Sequence, residues 1–202
     1  MLNQKPDLIY NCEMRTYRAV NLNVLWFIIA LNVLIFIITL IRPEIVYLLG
    51  LKPVLLSERP WTIITSMFVH GGFLHILVNM ISLYFLGSFL IRATGERSFV
   101  AVFLLGGLAG NILFALLGDP LSTGVGASGG IFALGGALAV IVPRVPVFIF
   151  FIPVPVPLWI AIIILFLFSF LPSIAWQAHL GGLLLGLVAG LIFRRRRRIY
   201  YF

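Results

Sequence analysis

VLWFIIALNVLIFIITLI, residues 24–41, is the stretch that decides the fold class. It carries no charge, and at about 1.5 Å of helical rise per residue it is close to the length that crosses a bilayer core of about 30 Å. The run is too long for a signal-peptide core, and no small-residue cleavage pattern follows it, so it reads as a retained span. Moving outward along the chain, five further apolar runs separated by polar breaks predict spans at 72–91, 98–117, 127–142, 147–171 and 174–193, with the first at 22–41.

Composition agrees. Of 202 residues, 62% are hydrophobic and 10% charged, against about 45–50% apolar usage in soluble domains. The expectation is an all-α polytopic membrane protein with a cytoplasmic segment at 1–21, one six-span membrane domain at 22–193 and a basic tail at 194–202. The net charge of +8 could suggest nucleic acid. Its densest part, Arg194 to Arg198, directly follows the last apolar run, where a stop-transfer anchor belongs, so membrane lipid is the expected partner and nucleic acid is not. The lone Cys12 has no partner for a disulfide and no ligand cluster around it. No cofactor or metal is implied.

With a cytoplasmic N-terminus, Lys5, Arg15, Arg18, Arg92, Arg97, Arg144 and Arg194 to Arg198 lie inside, leaving Arg42, Lys52 and Arg59 outside. Positive charge concentrated on the inner side supports this orientation, in a cell membrane with both termini cytoplasmic. The connection 42–71, containing Pro43, Pro53 and Pro60, is then a long folded interfacial loop between spans one and two. Pro153, Pro155 and Pro157 must break or kink a helix in the fifth run, whose cytoplasmic half is expected to be partly non-helical.

Four polar residues stand out in the apolar runs: His75, Asn79, Ser128 and His179. A buried unpaired polar group costs about 1 to 3 kcal/mol, so each asks for a partner or a task. His75 and Asn79 are four residues apart and share a helix face, whereas His70 sits at the loop–helix junction. Spans two, four and six run in one direction, which brings all four residues to similar depth near the outer side. Gly182, Gly186 and Gly190 form a ridge without side chains on span six, and span four offers Gly129, Gly130, Ala133, Gly135, Gly136, Ala137 and Ala139. The two helices can therefore pack backbone to backbone and draw Ser128 toward His179.

A serine hydroxyl becomes a nucleophile when a base takes its proton, and neutral imidazole suits that role near pH 7. Ser128 and His179 are the candidate pair. Gly126 and Gly129 flank a serine at a helix start, where backbone amides are free and the helix dipole favours developing negative charge. The Ser128 amide, His75 and Asn79 are the candidate oxyanion donors.

Trp61, then His70-Gly71-Gly72-Phe73-Leu74-His75-Ile76-Leu77-Val78-Asn79, then Gly126-Ala127-Ser128-Gly129, then Ala178-His179-Leu180-Gly181-Gly182 together resemble the rhomboid family of intramembrane serine proteases. The resemblance implies a six-helix bundle that cleaves membrane-spanning protein substrates near their outer ends. In that scheme Ser128 is nucleophile, His179 is base and then acid, His75 and Asn79 line the oxyanion hole, and no third catalytic acid takes part. Three positions depart from the family pattern. Thr62 follows Trp61 where arginine is common, Ile91 replaces a glutamate, and Phe132 stands where tyrosine is usual, so it can pack on His179 without offering a hydroxyl. The rival reading is a rhomboid-like chaperone that binds membrane helices without cutting them. A transporter is disfavoured because no acidic residue falls within an expected span. Glu96 reads as a solvated loop charge, and the sequence leaves oligomeric state and substrate identity open.

Overall fold

The computed structural model describes residues 20–149 and 152–196. Cys12, Lys5, Arg15, Arg18 and the tail beyond Arg196 lie outside the described residues. The chain folds as helices α1 (Asn23–Ile41), α2 (Glu44–Leu49), α3 (Thr62–Thr65), α4 (Phe73–Thr94), α5 (Glu96–Leu117) and α6 (Ser128–Ile141). A hairpin of β1 (Pro146–Ile149) and β2 (Ile152–Pro157) follows, then α7 (Leu158–Leu167) and α8 (Trp176–Arg196).

Among the described residues four helices, α1, α4, α5 and α8, are long and apolar enough to cross a membrane, while α6 and the stretch Leu158–Phe170 are shorter apolar helices. Four of the six expected spans thus coincide with helices of spanning length, and the other two fall on helices shorter than that. Outward-facing Phe27, Leu40, Phe85, Leu116 and Leu191 are exposed, as suits helices solvated by hydrocarbon rather than water.

The all-α expectation needs correction at 146–157. Pro146 pairs with Pro157 and Val147 with Val156 in an antiparallel hairpin with an irregular register. Proline has no amide to donate and obstructs the preceding helical turn, whereas in a two-stranded ribbon both strands are edges and tolerate it. Helix resumes at Leu158, directly after the last proline, so the first part of the run expected as a fifth span holds two strands. Glu96 is also corrected. Gly95, at φ 91, ends α4 and turns the chain, placing Glu96 in the first turn of α5, where the helix dipole favours an acid.

The core gathers around α6, whose Gly129, Gly130, Ala133, Leu134, Ala137 and Leu138 are buried. Leu25 of α1, Leu83 and Leu90 of α4, and Phe99 and Phe103 of α5 are wholly buried in the same cluster. Against α8 there is no room for side chains. A Cβ on Gly182 would overlap the carbonyl oxygen of Gly129, one on Gly186 that of Ala133, and one on Gly190 would stand 2.7 Å from that of Ala137. The four-residue ridge on α8 therefore meets a four-residue row on α6, in the way small-residue interfaces let backbones approach.

The segment between α1 and α4 contributes α2, α3 and two 3₁₀ turns, Pro53–Leu55 and Ser66–Phe68. Leu51 and Gly124 exchange backbone hydrogen bonds of 3.0 and 2.8 Å, tying this segment to the loop ahead of α6. Trp61 Nε1 donates to Leu48 O at 3.1 Å and Thr62 Oγ1 to Arg59 O at 2.7 Å. Arg59 stacks over Tyr47 with its guanidinium carbon 3.9 Å from the ring centre.

Candidate active site

Ser128 is the first residue of α6 and His179 lies in the first turn of α8. Their helices touch through glycine backbone, so the side chains at their ends meet: Ser128 Oγ is 2.8 Å from His179 Nε2. Phe132, one turn after the serine, lies on the imidazole face with ring centres 4.4 Å apart and planes inclined by 28°. The other ring nitrogen, Nδ1, is 2.7 Å from the hydroxyl of Ser169. The histidine is thus held at both ring nitrogens and on one face.

The helix start is built from glycine and from polar braces. Gly126 has φ 124, a region L side chains avoid, and a Cβ there would stand 2.7 Å from His75 Nε2. His75 therefore lies against the backbone that leads into Ser128. Gly126 N donates to Ser66 O at 2.9 Å, and Asn111 of α5 donates through Nδ2 to Ile63 O at 2.7 Å and to Ser66 Oγ at 2.9 Å. The 3₁₀ turn at Ser66 is pinned on one side by α5 and itself holds the serine loop. The first amide bond into α6 runs from Ile131 N to Ala127 O at 3.1 Å, so the amides of Ser128, Gly129 and Gly130 precede the helical ladder.

Asn79 is buried one turn below His75, and its amide nitrogen donates to the His75 carbonyl at 2.8 Å. Its Oδ1 has no hydrogen-bond partner among the described residues. His70 is buried and meets His75 edge-on, with ring centres 5.1 Å apart.

A family model for the rhomboid domain matches residues 57–196. The chain belongs to the rhomboid family. It is 32% identical over 149 residues to RHOMBOID-like protein 5 of Arabidopsis thaliana, covering 72% of this chain and 47% of that one. Identity to RHOMBOID-like protein 1 of the same plant is 31% over 158 residues, or 76% and 40% of the two chains. Against Rhomboid protein 1, mitochondrial, of Saccharomyces cerevisiae it is 28% over 149 residues, or 64% and 40%. The chain spans less than half the length of these relatives.

In this rhomboid the three departures from the family pattern have visible surroundings. Thr62 is buried and bonded within its own turn, Ile91 is packed in the core, and Phe132 covers the imidazole. Among the buried polar residues that escaped the sequence reading are Ser66, Asn111, Ser169 and Asn32, the last wholly buried in α1 with its Nδ2 on Ile28 O at 2.7 Å. Asn32 and Asn111 were open to detection as asparagines inside apolar runs. Ser169 lies within the run ILFLFSFL, residues 164–171, where one hydroxyl usually bonds back to its own helix.

Proposed function

We propose that this chain is an intramembrane serine endopeptidase acting on transmembrane protein substrates, with Ser128 as nucleophile and His179 as general base and acid. The observation that carries the reading is the 2.8 Å approach of Ser128 Oγ to His179 Nε2 beneath a stacked Phe132. As Oγ bonds to the scissile carbonyl carbon, its proton passes to Nε2 and the carbonyl electron pair moves to oxygen. Collapse breaks the C–N bond, and Nε2–H supplies the proton to the departing amine. Water then attacks the acyl ester with His179 again as base, releasing the acid and restoring Ser128. The Ser128 amide, His75, which lies against Gly126, and Asn79, one turn further along α4, are the proposed donors to the oxyanion.

Helix lengths support the proposed depth of the site. The 14 residues of α6 span about 21 Å, less than a bilayer core of about 30 Å. If α6 starts below the outer surface, Ser128 lies within the membrane's thickness while remaining open to water from the outer side. The six-span count, cytoplasmic termini and the domain limits 22–193 belong to this proposal, as does the interfacial place of the segment 42–71. A helix-binding chaperone would need neither the hydroxyl nor the imidazole, and their close pairing favours peptidase chemistry.

The test is a serine-reactive fluorophosphonate applied to the purified, membrane-reconstituted protein, read by intact mass. One adduct on the native chain, absent in Ser128→Ala and His179→Ala, is the expected result. Absence of an adduct across several lipid compositions would favour the chaperone reading, and labelling that survives Ser128→Ala would move the nucleophile elsewhere.

A further inference from the structure

We infer that Ser169 is a positioning residue for His179, holding the ring with Nε2 on Ser128 and accepting Nδ1–H in the tautomer that can take the serine proton; the inference rests on the peptidase reading above. Ser169 is 1% exposed and sits in the 3₁₀ turn Phe168–Phe170 at the end of α7. Its hydroxyl is 2.7 Å from Nδ1 of His179. Between them lies a short connection, residues 171–175, containing Pro172 and a left-handed Ser173 at φ 68. Proline fixes one backbone angle and the left-handed residue reverses the chain, so the turn folds the end of α7 back against the start of α8. Phe170 also stacks on Trp176, with ring centres 5.7 Å apart.

Neutral imidazole carries one N–H, and the hydrogen bond made by one ring nitrogen decides the state of the other. For Ser128 to surrender its proton, Nε2 must be the bare nitrogen, which places the hydrogen on Nδ1. Ser169 Oγ then accepts from Nδ1–H. After proton transfer the imidazolium keeps that same Nδ1–H bond, so the hydroxyl need not reorient during the reaction. In the opposite tautomer Ser169 would donate to Nδ1, and Nε2–H would point at Ser128 with no capacity to receive a proton. The place occupied by a carboxylate in Ser-His-Asp enzymes is here taken by a neutral, buried hydroxyl, which avoids placing a charge in an apolar bundle.

Threonine and valine at position 169 have nearly the same shape and differ in the hydroxyl, so their comparison separates the hydrogen bond from added bulk. With the full chain in lipid, Ser169→Thr should label with fluorophosphonate within about twofold of the native rate, and Ser169→Val about tenfold more slowly, as loss of one ordinary hydrogen bond predicts. On a model transmembrane substrate the loss should fall on kcat with KM unchanged. Nitrogen-15 spectra of histidine-labelled protein supply a readout independent of activity, and the chain has 3 histidines to assign. A proton on Nδ1 of His179, with an Nδ1 resonance kept in Ser169→Thr and shifted toward that of an unbonded N–H in Ser169→Val, supports the inference even if no substrate is cut. A proton on Nε2 in the native chain, or equal labelling rates for the threonine and valine variants, overturns it. Failure of the native chain to label would instead count against the peptidase reading.

Discussion

Gly182 of α8 lies against the carbonyl oxygen of Gly129 in α6, so close that a single added carbon would overlap it. Because Gly129 follows Ser128 and Gly182 is three residues after His179, this backbone contact sets the separation of the proposed catalytic pair.

Gly182→Ala should therefore act on both stability and chemistry. Inserting a methyl into a packed core costs about 1 to 3 kcal/mol, and relief here requires α6 and α8 to part. Unfolding in detergent should begin at lower temperature, and fluorophosphonate labelling of the protein that remains folded should slow. An unchanged melting midpoint together with native labelling would show that the helices separate at no cost, and that this contact does not set the geometry.

Phe132 contributes through its ring, since it stacks on His179 at 4.4 Å and meets Phe166 of α7 edge-on at 6.1 Å. Aromatic pairs are worth about 0.5 to 1.5 kcal/mol beyond the area they bury, so Phe132→Leu should lower kcat about 3- to 10-fold. Phe132→Tyr, which keeps the ring, should retain most of the rate. If leucine and tyrosine variants cleave a model substrate equally well, stacking is irrelevant to the orientation of the imidazole.

Long apolar runs made α1, α4, α5 and α8 legible before any coordinates, because hydrocarbon length is a local property of sequence. The small residues of α6 and α8 were legible as a packing ridge for the same reason. The hairpin was harder: Pro146 to Pro157 is as apolar as a span, and hydropathy does not register the missing amide donors that exclude a continuous helix there. Proline content announced a break without giving its form. Ser169 was beyond reach, since its partner lies across a turn whose path depends on the left-handed Ser173. Asn111 was a signal passed over: an asparagine in an apolar helix needs a partner, and it finds one in the Ser66 turn that braces Gly126.

His70 predicts how stability responds to acid. It lies ahead of α4, and burial, followed by the neighbouring His75, pushes its pKa down from 6.5 to about 3. The folded state therefore resists a proton that the unfolded chain accepts. With the folded value below the unfolded one, the contribution is complete above pH 6.5 and is lost as pH falls toward 3, at about 1.4 kcal/mol per unit. Native protein should lose stability over that window more steeply than His70→Phe by about one proton's slope, His75 and His179 being common to both. Parallel stability curves in chemical denaturant would remove His70 as the source.

His75 and Asn79 should not contribute equally to oxyanion stabilisation, although they are paired in the sequence motif. The imidazole of His75 lies against Gly126, next to the helix start that presents the Ser128 amide. The Asn79 amide donates one N–H to the His75 carbonyl at 2.8 Å, which leaves its second N–H for a substrate oxygen but ties the group to its own helix, one turn from His75. Removing a well-placed oxyanion donor costs about 10² to 10³ in rate. His75→Ala should approach that loss, whereas Asn79→Ala should lose about tenfold, and both should fall on kcat rather than KM because the charge exists only in the transition state. A larger loss for Asn79→Ala than for His75→Ala, with both variants folded, would mean that the second amide N–H makes asparagine the principal donor.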